Sequence, residues 1–268
     1  MTTTLAHQQL LRTARDWAEI QERMLVPLYE AVYERLGVGA DTRLLGLGCG
    51  SGLALLLAAA RGARVVGIDT DEARLALARM RLTPEPQWGA KSWSVQLLPG
   101  GPQELPAGRT YTLVTAFDGV ADPVALAAAA ERSEVGAPVV LAGWGAAERC
   151  AAAAALRVAQ RLTPGHQPQD GCGWRPGGRA QLEELARRAG LEPAEAGEVD
   201  CPFGYPDVES AVRGLLSTGF YGAALRSTDE QQLGKELVET LHGYTRPDGT
   251  VWLPNLFHYV VARVRPTR

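Results

Sequence analysis

The sequence predicts an α/β fold with a doubly wound, mostly parallel sheet, and three observations support this prediction. Short apolar runs alternate with helical segments from Arg43 onward, which is the pattern of strands joined by crossover helices. The first apolar run ends in a glycine-rich turn that opens a helix, "LLGLGCGSG". The chain has 268 residues, of which 46% are apolar and 21% charged, so it can bury a large globular core.

The N-terminal residues precede this alternation and predict a helical cap. Between residues 5 and 36, apolar side chains recur at helical spacing, and Pro27 should kink or break the run into two stretches. We therefore predict an N-terminal helical cap over residues 1–37, before the main domain over residues 38–268.

Strands and helices then follow one another from Arg43. "RLLGLG" predicts the first strand, and "LALLLAAARG" predicts a helix that ends at Gly62. Further apolar runs predict strands at 63–69, 92–98, 110–117, 137–144 and, last, at 256–264. The segments between and after these strands predict helices at 71–81, 123–134, 146–161 and 178–189.

An insertion precedes the last strand. Between Cys201 and Pro254, two amphipathic stretches carry leucine and valine at helical spacing along one face. We predict a helical lid over about residues 202–252, which would cover one end of the sheet together with the N-terminal cap.

Composition argues against several classes of partner. The net charge of −3 provides no basic surface for nucleic acid or anionic lipid. The N-terminus lacks the order of a signal peptide, and no apolar run reaches the roughly 18 residues that span a bilayer. The four cysteines form no C-x-x-C pair, so we expect reduced thiols and no metal. We expect a cytoplasmic protein with a small-molecule substrate, no nucleic acid and no membrane partner; a homodimer stays open.

The glycine turn is the expected ligand site, because ligands of open parallel sheets bind beyond the carboxyl ends of the strands. The dinucleotide fingerprint requires Gly or Ala five positions after its first Gly, and Ser51, Leu53 and Leu55 occupy that position in the three registers. What remains is G-x-G-x-G-x-G, which allows the backbone to approach a ligand closely. Asp69 ends the next strand, where a carboxylate can accept hydrogen bonds from two ribose hydroxyls. The pattern predicts a nucleoside site.

These residues resemble the class I S-adenosylmethionine-dependent methyltransferases, and within them the branch that acts on small molecules. The stretches that carry the resemblance are "RLLGLGCGSGLALLLAAARGARVVGIDTDEARLALAR", "QELP", "YTLVTAFDGVADP" and "LAGWGAAERC". The resemblance implies a Rossmann-like, seven-stranded sheet, mostly parallel with an antiparallel last strand, in a methyltransferase domain over residues 38–268. It also implies S-adenosylmethionine as the cofactor.

The resemblance implies roles for individual residues at the carboxyl ends of the strands. Asp69 would hold the ribose hydroxyls, with a helix cap as the alternative, and Thr70 would lie against the adenine. Phe117 and Asp118 would face the sulfonium and the substrate. The other implied cofactor positions lie in the two glycine-containing loops, at Gly46, Gly48, Cys49, Gly50, Gly52 and Gly101.

Two of these positions depart from the family pattern, because both lack a carboxylate. The family usually has an acid at position 46, which serves the methionine amino group, and another after the third strand, at the adenine amino group. This chain has Gly46 and, aligned on the Leu-Pro of "PGGPQELP", Gly101. Losing one charge-assisted hydrogen bond costs about 1.5 to 3 kcal/mol. We therefore predict weakened cofactor binding, which Gly46→Asp should tighten.

Methyl transfer from a sulfonium depends mainly on positioning and exclusion of water, and a base is needed only for a weakly acidic acceptor. The candidate bases are Asp118 and His166, with a structural carboxylate and a solvent-exposed loop histidine as the alternatives. Four aromatic residues are predicted to contact the acceptor, although packing is an alternative role for such side chains: Trp17, Trp144, Phe203 and Tyr205.

The sequence therefore predicts methyl transfer to a small, largely apolar acceptor, through oxygen, in secondary metabolism. Methylation of amides and amino bases is disfavoured, because "FDGV" at 117–120 cannot imitate the N-P-P-Y type of motif. Two alternatives stay open. One is a cyclisation or rearrangement in the same pocket, and the other is a degenerate partner subunit of an active methyltransferase.

Overall fold

The computed structural model describes residues 2–83, 92–108, 110–117, 122–163 and 178–266. Strands and helices alternate over these ranges from Arg43 onward, as the sequence predicts. No helix in the described ranges is long and apolar enough to cross a membrane.

The described residues form a seven-stranded sheet and a separate two-stranded ribbon. The strands are β1 (Arg43–Leu47), β2 (Arg64–Asp69), β3 (Val95–Pro99), β4 (Leu113–Ala116), β5 (Pro138–Trp144), β6 (Glu192–Asp200), β7 (Phe203–Tyr205), β8 (Val251–Leu253) and β9 (Leu256–Arg263). The large sheet has the order β3-β2-β1-β4-β5-β9-β6, and the ribbon pairs β7 with β8.

The sheet is mostly parallel with an antiparallel last strand, as predicted. Strand β1 pairs in parallel with β2 on one side and with β4 on the other, and β3 and β5 continue the parallel order. Strand β9 runs the opposite way beside β5, because the Val264 amide donates to Ala137 at one end and the Gly145 amide donates to Leu256 at the other. This arrangement confirms the doubly wound fold class.

Helices precede, connect and follow the strands. They are α1 (Thr2–Asp16), α2 (Val26–Arg35), α3 (Leu53–Ala60), α4 (Glu72–Leu82), α5 (Pro123–Glu131), α6 (Ala152–Arg161), α7 (Arg179–Arg188), α8 (Val208–Leu216), α9 (Gly222–Ser227) and α10 (Glu230–Leu241). The two amphipathic helices expected before the last strand correspond to α8 and α10, whereas α9 was not predicted.

The chain changes its helical geometry just before Pro27. A π-helix spans Trp17–Gln21 and a 3-10 helix spans Glu22–Leu25, and α2 begins at the next residue. Pro27 therefore occupies the first turn of α2, where its missing N–H removes no helical hydrogen bond. The proline marks a boundary between two helical stretches, as the sequence predicts.

The described residues divide into two compact units. The first comprises residues 2–25, 144–163 and 200–256, and in it α10 packs against α6 and α8. The second comprises the described parts of 26–143 together with 178–199 and 257–266. Its core contains leucine, valine and alanine side chains of the sheet packed against α5 and α7.

A buried asparagine anchors the start of α6 within the first unit. Asn255 is 3% exposed; its side-chain oxygen accepts from the Ala152 amide at 3.0 Å, and its amide donates to the Leu253 carbonyl at 2.9 Å. Replacing Asn255 with alanine leaves both groups without this partner. We expect a loss of about 1 to 3 kcal/mol in the free energy of unfolding, measured by urea denaturation, whereas Gln160→Ala at an exposed position of α6 should change it little. Equal stability of the two variants would contradict this role.

Candidate functional site

The strand order places a crevice between β1 and β4. The chain moves outward from β1 through β2 to β3, and then returns to β4 on the other side of β1. At such a switch point the loops after the two strands run in opposite directions and leave space beyond their carboxyl ends. The glycine turn after β1 and the residues after β4 border this space.

The glycine turn depends on backbone conformations that side chains disfavour. Gly48, Gly50 and Gly52 have φ angles of 60°, 55° and 82°. No other residue type among the described residues has a positive φ, which fits the steric cost of this region for L-residues. These three glycines are therefore required by the shape of the turn.

Asp69 holds this turn through both carboxylate oxygens. Its Oδ2 accepts from the Gly50 amide at 2.7 Å, and its Oδ1 accepts from the Asp71 amide at 2.8 Å. Asp71, not Asp69, caps α4, because its side chain accepts from the amides of Ala73 and Arg74. Each carboxylate oxygen has more than one lone pair, so Asp69 can still accept hydrogen bonds from a ligand. Its half-buried position leaves part of the side chain accessible.

The loop after β3 lies beside Asp69. Asp69 is in register with Pro99, and the Gly100 amide donates to the Asp69 carbonyl at 2.9 Å. Gly101 follows at once and precedes a short 3-10 helix, Pro102–Glu104. The sheet thus brings the glycine turn, Asp69 with Thr70, and Gly101 to neighbouring strand ends.

Gly46 faces α3 rather than open space. A Cβ atom at this position would lie 2.9 Å from the Cδ2 atom of Leu55, a side chain that is 1% exposed. Gly67 is paired with Gly46 across β1 and β2, and a Cβ there would lie 2.5 Å from the Cδ1 atom of Leu55. The two glycines together make the space that the leucine fills. A carboxylate at position 46 must therefore displace Leu55.

Phe117, after β4, is fixed by two tyrosines that the sequence analysis did not select. Its ring centroid lies 4.9 Å from that of Tyr29 and 5.9 Å from that of Tyr33, both in α2. The Tyr33 hydroxyl donates to the Ala54 carbonyl at 3.0 Å, and burial raises the pKa of this phenol above its usual range. The four-residue spacing of Tyr29 and Tyr33 indicates that both rings lie on one face of α2, but it does not identify Phe117 as their partner.

These residues fit a nucleoside cofactor with a methionine group. Asp69 offers acceptor capacity for hydroxyls, and the turn from Gly48 to Gly52 offers backbone that a ligand can approach without meeting side chains at the three glycines. Phe117 provides an aromatic ring directly after β4, the strand that pairs with β1. The glycine turn follows β1. The fit is weaker at the methionine amino group of the cofactor, where Gly46 provides no charge.

Two of the predicted acceptor residues are in contact within the first unit. Trp144 and Phe203 lie 5.6 Å apart between ring centroids, with an interplanar angle of 65°. Tyr205 donates from its hydroxyl to the Gln21 side-chain oxygen at 2.9 Å, and burial raises its pKa. Phe203 and Tyr205 are 1% and 2% exposed and Trp17 is 5% exposed, so a ligand would meet them only in an enclosed space.

The remaining candidates are the two predicted bases, one buried tyrosine and potential metal ligands. Asp118 and His166 lie outside the described residues. Tyr221 was not predicted, yet it is fully buried and its hydroxyl has no hydrogen-bond partner among the described residues. Those residues also contain no group of three or more potential metal ligands.

Comparison with known proteins identifies the domain. A profile of a family described as "Methyltransferase domain" matches residues 44–138, whereas no curated protein sequence matches with significance. The YcgJ protein of Bacillus subtilis superposes with a TM-score of 0.57 at 12% identity, over 89% of this chain and 98% of its own.

Two further solved structures share the fold. The [4+2]-cyclase SpnF superposes with a TM-score of 0.52 at 15% identity, over 90% of this chain and 80% of its own. Geranyl diphosphate C-methyltransferase from Streptomyces coelicolor A3(2), solved with Mg²⁺, geranyl diphosphate and S-adenosyl-L-homocysteine, gives 0.50 at 13% identity, over 88% and 78%. Residues 44–138 thus match a methyltransferase domain, and the sheet with its antiparallel last strand has the fold of these solved structures.

Proposed function

We propose that this protein is a methyltransferase, which binds S-adenosylmethionine at the glycine turn and transfers its methyl group to a small, largely apolar acceptor through oxygen. The observation that carries the proposal is the Asp69 carboxylate, ordered by the Gly50 and Asp71 amides at the end of β2. A carboxylate held in this way loses little freedom when it accepts further hydrogen bonds from ribose hydroxyls.

The other cofactor contacts follow from the neighbouring strand ends. The backbone of Gly48, Cys49, Gly50 and Gly52 would line the methionine and ribose portion, Thr70 would lie against the adenine, and Gly101 would face the adenine edge. Gly46 and Gly101 provide no carboxylate. Binding of the methionine and adenine amino groups would therefore depend on backbone groups and water. We propose weakened, not absent, cofactor binding.

The cofactor supplies the sulfonium-bound methyl group, and the protein's part is to orient the acceptor and exclude water. The Phe117 ring, held by Tyr29 and Tyr33, would face the sulfonium, because a cation is attracted to an aromatic face. Asp118 and His166 are proposed as bases that take the proton of a hydroxyl acceptor. Neither is needed if the acceptor is already an anion.

The proposed acceptor is apolar because the residues assigned to it are aromatic. Trp144 stacks edge-on against Phe203, and Trp17 and Tyr205 are buried in the same unit. Transfer of an apolar molecule from water into a site with such walls is favourable in free energy. The net charge of −3 provides no basic surface for a nucleic-acid acceptor, which favours a small molecule. A role in secondary metabolism is part of this proposal.

A non-methylating cyclisation or rearrangement is the second candidate function. The observation that favours it is the absence of both acids, together with the burial of Leu55 over Gly46. A protein that no longer turns over its cofactor has no need of a strong ammonium contact. A partner subunit that lacks the cofactor altogether is the third candidate.

Mass spectrometry of the nucleoside released from the denatured, purified protein tests these candidates. We expect S-adenosylmethionine or S-adenosylhomocysteine. Release of S-adenosylhomocysteine during incubation with a panel of phenols and apolar alcohols would support methyl transfer. Tight cofactor binding without turnover would favour the second candidate, and no binding up to millimolar cofactor would contradict the proposal.

We also propose that residues 5–36 and 202–252 act as a lid. The first segment precedes the sheet in sequence and the second precedes its last strand, and in the second segment α8 and α10 each bury one face. Closure of such segments excludes water during methyl transfer. We expect slower hydrogen exchange in both segments when S-adenosylhomocysteine is added. Protection confined to residues 46–70 would contradict the lid.

A further inference from the structure

The β7–β8 ribbon has one buried face and one accessible face. Phe203, Tyr205, Val251 and Leu253 are at most 2% exposed, whereas Trp252 is 38% exposed. Side chains alternate between the two faces of a strand, so Trp252 lies opposite the four buried residues. Its ring covers Gly204, where a Cβ atom would lie 2.9 Å from the ring carbon Cζ3. The glycine therefore leaves room for the tryptophan ring on this face of the ribbon.

A groove of about 720 Å³ borders Trp252 within the first unit. Its walls come from the turn after β5 (147–151), from Arg157 in α6, and from the segment 243–246 that follows α10. Volumes of roughly 300 to 1,000 Å³ are typical of small-molecule sites. The groove shares no residue with the proposed cofactor site or with the proposed acceptor residues.

The groove is rich in arginine. Arg149, Arg157 and Arg246 line it, against a single lining carboxylate, Glu148. The Arg157 Nε atom donates to the Ala153 carbonyl at 3.2 Å, which ties this guanidinium to the surface of α6. Guanidinium groups bind phosphate and carboxylate through paired N–H donors. This charge favours an anionic ligand.

Arg246 packs over Trp252 at the edge of the groove. The guanidinium carbon lies 4.6 Å from the centre of the tryptophan ring, within the range of a cation–π contact. Asp248 is close to Arg246, but its carboxylate accepts from the Thr250 amide at 3.0 Å and from the Thr250 hydroxyl at 2.7 Å. Tyr244 adds a second aromatic side chain to the lining. Flat aromatic surfaces next to guanidinium groups suit a planar ring that carries an anionic group.

We propose that this groove is a second ligand site, which binds a planar aromatic molecule through a phosphate group on its ring. Arg157 and Arg246 hold the phosphate, and Tyr244 together with the accessible edge of Trp252 contacts the ring. The ligand differs in charge from the apolar acceptor proposed for methyl transfer, and the proposal stands whether or not that function is correct.

Calorimetric titration of the full-length protein with 1-naphthyl phosphate at low ionic strength tests the site. We expect saturable binding that is unaffected by S-adenosylhomocysteine. Inorganic phosphate, which has no ring, and 1-naphthol, which has no charge, should each bind at least about tenfold more weakly. Displacement of the probe by S-adenosylhomocysteine would overturn the assignment to this groove, and equal binding of 1-naphthol would overturn the role of the arginines.

Matched arginine variants locate the binding. Arg157→Gln and Arg246→Gln should each weaken 1-naphthyl phosphate by about fivefold or more, as expected for one charge-assisted hydrogen bond at an accessible position. Arg161→Gln makes the same change in charge one turn further along α6, where the side chain is paired with Glu236 at 3.5 Å and does not line the groove. It should leave the affinity unchanged. Equal effects of all three substitutions would indicate non-specific charge attraction and overturn the proposal.

Discussion

Replacing Asp69 with asparagine should weaken S-adenosylmethionine binding by about tenfold or more. The carboxylate accepts from the Gly50 and Asp71 amides and has lone pairs left for two ribose hydroxyls. An asparagine presents one oxygen and one NH₂ group in the same volume, so it can no longer accept on both sides. Isothermal titration calorimetry measures the loss directly. Asp69→Ala should have an effect at least as large.

Asp71→Asn is the matched control for this substitution. It removes the same charge two residues away, while asparagine remains an effective N-cap for α4. We expect cofactor affinity close to that of the unmodified protein. If Asp69→Asn binds as tightly as Asp71→Asn, Asp69 is not a ligand of the ribose, and its two hydrogen bonds serve only the turn.

Gly46→Asp has two expected effects, which the structure separates. The new Cβ atom would lie 2.9 Å from the Cδ2 atom of Leu55, so Leu55 must move inside a packed interior. Overpacking of this kind costs about 1 to 3 kcal/mol in the free energy of unfolding. Leu55→Val shortens the obstructing side chain. The cost of Gly46→Asp should therefore be smaller in the Leu55→Val background, which a double-mutant cycle in urea measures.

The second effect concerns the methionine amino group. In the folded Gly46→Asp/Leu55→Val protein, S-adenosylmethionine should bind a few-fold to about a hundredfold more tightly than in Leu55→Val alone, matching one charge-assisted hydrogen bond. An analogue without the amino group should gain nothing. If both ligands bind more weakly, position 46 does not face the ammonium, and the alignment of "LLGLGCGSG" with the family turn is wrong.

The boundaries of α4 and α2 show why local structure was predictable. A helix was expected over 71–81 and spans Glu72–Leu82, with Asp71 as its cap. Pro27 was expected to interrupt the N-terminal helical run, and it lies in the first turn of α2. Both outcomes depend on interactions within a few residues of chain, which a single sequence contains.

Strand β6 shows where this reasoning fails. Its sequence "EPAEAGEVD" has neither an apolar run nor β-branched residues apart from Val199, and no strand was predicted there. The strand lies at the edge of the sheet and alternates between exposed and half-buried positions. An edge strand is selected by a neighbour that offers hydrogen bonds, here β9, and that neighbour is more than 50 residues away in the chain.

For this protein, the sequence by itself determined the alternation of strands and helices and the glycine turn after β1, and it predicts Asp69 as the ribose ligand, because periodicity and short motifs act over neighbouring residues. Only the tertiary structure decided that Leu55 fills the space over Gly46 and Gly67, that Tyr29 and Tyr33 hold Phe117, and that three arginines line one groove with Trp252. These contacts join segments from different strands and helices. Their geometry depends on how the whole core packs, and no local pattern of residues encodes it.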